Sequence, residues 1–241
     1  MDFAAFLSAH DAHRAERTFA RLRRHGTAAW ALTGSLAIEL HRQQNGFGSE
    51  IRPLNDIDFL ADSFEAIPKT LSADFIFRHV HPHDPPGKTL LQSVDPETAV
   101  RVDVFRAYGN TLARAIPLEF SGTTMRIISL EDLTARTARL CMGLAAGTLV
   151  PAKHARDFLR LLPLVKLETM KPIWKEHRKP SHPESFAETA SQLTALIPAR
   201  RELHIALTYS TDTHVICSRC RSTVAFPLAD AERVLSLLGY C

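Results

Sequence analysis

The chain has 241 residues, 45% hydrophobic and 23% charged, with 29 Lys and Arg against 26 Asp and Glu for a net charge of +3. That length implies one or two domains with a substantial core, and the near-balanced charge excludes nucleic-acid binding by the whole molecular field, leaving only a local patch. Charged residues scattered from Asp2 to Arg17 argue against a secretory leader, and the weakly polar run 140–152 is shorter than the ~20 residues that span a bilayer, so the expectation is a cytoplasmic protein without membrane contact.

In chain order, residues 3–24 read as an amphipathic helix with Ala15, Phe19 and Leu22 along one side. Arg14, Arg17, Arg21 and Arg24 form a second stripe, read as a solvated face, with contact to RNA phosphates as the alternative. Residues 28–33 predict a short buried strand and 35–43 a helix, with Thr33-Gly34-Ser35 at the junction. Strand, turn and helix in that order aim backbone N–H groups at an anion. Residues 54–60 predict a strand, 62–65 a helix start, and 74–80, 88–93 and 100–105 further strands. Residues 113–120 and 123–128 predict a hairpin around Ser121-Gly122. Ser129 and Asp132 fit a capping box, opening a helix with Leu130, Leu133, Thr137, Leu140 and Leu144 in register. Pro151 opens another helix to about 165. Residues 167–182, with three X-Pro pairs, read as a linker, followed by a helix over 183–196. Strands, a tight Cys217-Ser-Arg-Cys220 turn and a closing helix are expected after residue 201.

The chemistry concentrates in three acids. Asp56 and Asp58 lie two apart in 54–60, so their side chains share a face of the strand while Ile57 and Phe59 take the other. Paired carboxylates repel, so one must take a proton or both must bind a cation. Asp103, in a second apolar strand, favours the cation. A divalent-metal site beside a phosphate-binding turn is the result.

Gly34-Ser35, Asp56-Ile-Asp58 and Asp103 together resemble the motifs of the nucleotidyltransferase superfamily that includes DNA polymerase beta. Ser129-Leu-Glu-Asp-Leu133 and Lys153-His-Ala-Arg-Asp157 narrow the resemblance to nucleotidyltransferases of abortive-infection type, some of which are toxins. It covers roughly residues 25 to 165. The turn lies farther from the acid pair than in the shortest members, with the polar insertion 43–50 between them. The order of predicted elements and the resemblance together imply an α/β (α+β) fold with a small mixed β-sheet core and flanking helices at 1–128 and a helical region at 129–200. The strands and cysteines beyond it predict a small Cys-containing β/α module at 201–241. The resemblance further implies two magnesium ions on Asp56, Asp58 and Asp103, with Asp103 as candidate general base. Gly34 and Ser35 would hold the triphosphate, Lys153 would clamp a phosphate with Asp157 orienting it, and Arg52 would be a second phosphate contact. The implied activity moves a nucleoside monophosphate from a triphosphate to an acceptor hydroxyl. An RNA such as tRNA is the implied acceptor, with a small molecule or a protein hydroxyl as open alternatives, and a cognate antitoxin is the implied partner.

Cys141 reads as a small buried apolar residue. Cys217 and Cys220 supply half of a zinc site, with Cys241 third and His214 or His204 fourth, forming a zinc-ribbon-like module; free thiols or a redox pair fit the same cysteines. His79, His81, His83 and Asp84 read as a polar edge and loop. A second function class stays open: a non-catalytic protein of the same fold that binds RNA or protein through its C-terminal module.

Overall fold

The computed structural model describes residues 3–48, 50–80, 86–120 and 123–206. The cysteines and His214 of the expected zinc module, together with His81, His83 and Asp84, lie outside them. Among the described residues the protein is a mixed α/β fold with six α-helices and a seven-stranded mixed sheet, and no helix is long and apolar enough to cross a membrane.

The first predicted helix is shorter than its pattern. A single 3-10 turn, Phe3–Ala5, precedes α1 (Ala9–Arg24). The break is at Ser8, whose hydroxyl accepts from the Asp11 N–H at 3.1 Å and so starts the helix there. Phe3 and Phe6 pack edge-to-face beside Phe19. The arginine stripe of α1 is only partly a solvated face: Arg17 and Arg24 are exposed, Arg14 is half-buried and Arg21 buried, and all four meet acids. Arg14 pairs with Asp11, Arg17 with Glu97, Arg24 with Asp74, and Arg21 with Asp95 at 3.2 Å, Asp74 and Glu97. The acids it meets come from distant turns, which helical spacing alone does not reveal.

The sheet runs β3 (Ile76–Val80), β4 (Thr89–Asp95), β5 (Val100–Arg106), β2 (Asp56–Ala61), β1 (Ala31–Thr33), β7 (Thr123–Ile127), β6 (Ile116–Phe120). β2 and β5 are parallel, as are β1 and β7; the other pairs are antiparallel. α2 (Gly34–Gln44) leaves directly from β1. The helix start expected at 62–65 is only a 3-10 turn, Phe64–Ala66, because Ser63 makes no side-chain cap bond.

α3 (Leu130–Cys141) begins at the predicted capping box, with the Asp132 N–H donating to Ser129 Oγ at 3.0 Å. α4 (Ala152–Leu161) follows a two-residue strand β8 (Val150–Pro151), which pairs with β9 (His204–Ile205). The expected linker at 167–182 is instead largely helical: a 3-10 turn and α5 (Met170–His177) precede α6 (Phe186–Ala199). Pro172 sits in the first turn of α5, where its missing N–H breaks no helical bond. Met170, Ile173, Trp174 and His177 then face inward.

Candidate active site

Strand register builds the site. β1 ends with Thr33 opposite Asp58 on β2, and Asp58 stands opposite Asp103 on β5. Asp56 is opposite Arg101 in the same parallel ladder. Because alternate residues share a face, Asp56, Asp58, Arg101 and Asp103 all project to one side. One oxygen from each carboxylate can be chosen so that all three lie within 4.8 Å of one another.

Gly34 opens α2 at φ +70°, in the left-handed region that favours glycine. Any side chain there would also collide, since a Cβ would fall inside contact distance of Asp58 Oδ2. The phosphate-type turn and the acid cluster therefore touch through the bare Cα of one residue. A small cavity of about 80 Å³ opens at this point, lined by Gly34, Ser35, Asp58, Lys153 and Asp157 among others. Five of the residues singled out from sequence thus meet in one place. Asp56, Asp103 and Arg52 do not line this cavity; the two acids stand beside Asp58, whereas Arg52 lies behind the cavity. Its guanidinium pairs with buried Glu39 at 2.8 Å and with Asp157 at 2.6 Å. Arg160 also grips Glu39, at 2.6 and 2.9 Å. This network locks α2 to α4 behind the cavity and fixes Asp157, so Arg52 acts at one remove.

The electrostatics follow from crowding. Asp58 is held well above the ordinary carboxylate range, first by burial of its carboxylate and then by Asp56 and Asp103, with Arg136 and Lys153 opposing. Asp103 is pushed up to about 6, chiefly by burial, against the opposing field of Arg101. His154, on the same lining, is lowered to about 4 by burial and by Lys153. Neutral His154 adds no charge to the cluster near pH 7.

Two residues missed in the sequence complete the site. Arg101 pairs with Asp56 and reaches Asp103 Oδ2 at 3.3 Å. The alternation that paired Asp56 with Asp58 equally places Arg101 with Asp103, so this residue was legible. Arg136 on α3 donates to Thr33 Oγ1 at 3.0 Å and stacks its guanidinium 5.0 Å from the Phe105 ring. Its signal was a charge inside the buried face of α3, between Leu133 and Thr137.

No protein-family model matches the chain. No curated protein matches it either. Among solved structures it is similar to an antigenic nucleotidyltransferase-like protein from Paracoccidioides brasiliensis, with 16% identity and a TM-score of 0.36 over 74% of this chain and 86% of that one. It is also similar to JHP933 from Helicobacter pylori, with 14% identity and a TM-score of 0.39 over 82% of this chain and 94% of that one. At that distance the likeness assigns no residue and no reaction.

The donor set fits a hard divalent cation. Three carboxylates converge, Asp103 Oδ1 is buried without a hydrogen-bond partner among the described residues, and oxygen-only ligands suit magnesium. Arg101 engages one oxygen each of Asp56 and Asp103, so a cation entering here would share these carboxylates with it or displace it.

Proposed function

We propose that this protein is a metal-dependent nucleotidyltransferase that moves a nucleoside monophosphate from a nucleoside triphosphate to an acceptor hydroxyl. The supporting observation is the register that stacks Asp58 between Gly34 and Asp103, so that an anion turn and a cation site share one contact. Asp56, Asp58 and Asp103 would hold magnesium, which supplies charge neutralisation at the transferring phosphate and activation of the acceptor oxygen. The residues of the chain do the rest. Gly34 admits the phosphates to the N-terminus of α2, and Ser35 offers a hydroxyl donor beside it. Lys153 and Arg136 bring positive charge to the cavity lining beside Asp58. Asp157, held by Arg52, positions the α4 face that carries Lys153. Asp103 is the candidate to receive the acceptor proton. An RNA end as acceptor, a toxin role, a cognate antitoxin and a C-terminal zinc module rest on the resemblance and on the cysteine spacing.

One observation favours a second reading. Arg101 pairs with Asp56 and Asp103 internally, as in a structural ion cluster of a non-catalytic binding protein. Both readings meet one experiment: incubate the protein with magnesium, each labelled triphosphate and total RNA, beside Asp56→Asn/Asp58→Asn. The transferase reading expects label on RNA with the intact acids only. Triphosphate that neither binds nor reacts in the presence of magnesium would leave the binding-protein reading in place.

A further inference from the structure

A second, much larger cavity of about 1230 Å³ lies next to the acid site and shares Arg136 and Leu140 with its lining. Small-molecule sites occupy roughly 300–1,000 Å³, so this space exceeds what one nucleotide requires. Lys88 comes from the sheet side, Arg139 from α3, and Lys179 and His182 from the loop between α5 and α6. Glu188 is the only carboxylate on the described lining. Among the described residues no ion pair engages Lys88, Arg139 or Lys179. That contrasts with α1, where all four arginines of the stripe are paired. The cations crowd one another: burial lowers His182 below its ordinary pKa, and Lys179, Arg139 and Arg178 lower it further. Mutually repelling charges gathered in a groove are stabilised by an anionic occupant.

The aromatic rings on the lining are already engaged. The Arg139 guanidinium lies 4.4 Å from the Tyr108 ring centroid, and Tyr108 packs on His177 at 5.6 Å. His182 stacks on buried Trp174 at 5.8 Å. Gly87, at φ +75°, makes room for Tyr108, whose hydroxyl lies where a Cβ would stand. Open stacking platforms are what single-strand binders use to hold bases; this groove instead offers cations on a rigid frame.

We infer that this groove grips the phosphate backbone of a single-stranded polynucleotide acceptor and leads its end toward Asp58, reading charge rather than base sequence. The inference rests on the transferase reading for the identity of the bound end, but the site itself is tested by binding alone. The test measures fluorescence anisotropy of a short labelled oligouridylate with the full chain, without triphosphate, over a range of salt concentrations. Lys88→Ala/Lys179→Ala should weaken binding about tenfold at low salt and make the plot of log affinity against log salt shallower by about 1.4, near 0.7 for each lost phosphate contact. An oligoadenylate should lose the same amount, because no base is read. Unchanged RNA affinity in the double variant would overturn the site, as would failure of the wild type to bind RNA. Equal competition by an acidic peptide of matched charge would overturn it too, in favour of a protein occupant. Groove-dependent RNA binding without any nucleotide transfer would sink the transferase reading alone. Transfer that proceeds while the groove variant binds RNA normally would sink the groove alone.

Discussion

Asp58 is a carboxylate in a place that disfavours its charge, and that has a measurable sign. Its folded pKa is raised well above the ordinary value, and that of Asp103 is raised to about 6. A raised folded pKa gives stability that is complete below the unfolded pKa, near 4, and is lost as pH rises through the folded value. At neutral pH without divalent ions the cluster therefore opposes folding. Asp58→Asn should melt at a higher temperature than the wild type under those conditions. Magnesium should reverse the order by raising the wild type alone, which differential scanning fluorimetry at pH 7.5 would show. If magnesium raised both equally, the cation would not be bound at this cluster. The acids and Gly34 were legible because strand alternation and a strand–turn–helix order are local patterns. Arg101 obeys the same alternation, but a single basic residue on a strand face carries no metal-site signal by itself. Arg136 needed the docking of α3 over β1, which no local period encodes.

Helix α5 shows how an element can hide behind a residue type. Three X-Pro pairs suggested a linker, yet Met170, Ile173, Trp174 and His177 follow helical spacing, and Pro172 falls where a helix tolerates it. The spacing was present in the sequence; the prolines outweighed it. What holds α5 against the sheet region is charge as well as packing. Arg114 donates to Glu176 at 3.0 and 2.8 Å, and Asn110 adds two further bonds to the same carboxylate. Those donors lower Glu176 to about 2. A depressed folded pKa gives stability that is present above the unfolded value, about 4.5, and lost as pH falls toward 2. Wild-type stability should therefore decline across that window more steeply than that of Glu176→Gln, measured by urea midpoints at pH 5, 4 and 3. Parallel declines would mean that this contact is not made in solution.

Among the described residues the hydrophobic core divides into two clusters. The larger unites α1, α2 and the sheet and reaches Leu133 and Leu161; the smaller runs from Ala135 through α4, α5 and α6. The division falls inside α3, a turn beyond the boundary at 128/129 expected from sequence, because one helix serves both sides. The segmentation into 1–128, 129–200 and 201–241 stays our proposal for independent units. Asp132 sits at the seam, fully buried. It accepts from Arg114 at 2.9 and 2.7 Å, from Thr111 at 3.2 Å and from Ser129 at 2.7 Å, with His177 Nε2 at 2.9 Å. Burial alone would raise its pKa, but these donors together hold it below the ordinary carboxylate range. Asp132→Ala should cost about 3–5 kcal/mol, as expected when one partner of a buried charge network is removed. It should also split the thermal transition in two as the clusters uncouple. A single transition of unchanged midpoint would show that packing, not this carboxylate, joins them. The same feature of internal pairing, seen in Arg101 between Asp56 and Asp103, bears on the order of events in the life of the protein. Arg101, Arg136 and Lys153 offset part of the repulsion among the three acids from within the chain. Unlike a domain that is unfolded until its ion arrives, this chain can mature in an ion-poor state. On the transferase reading proposed above, loading the metal would then be a local rearrangement around Arg101, carried out on a finished scaffold.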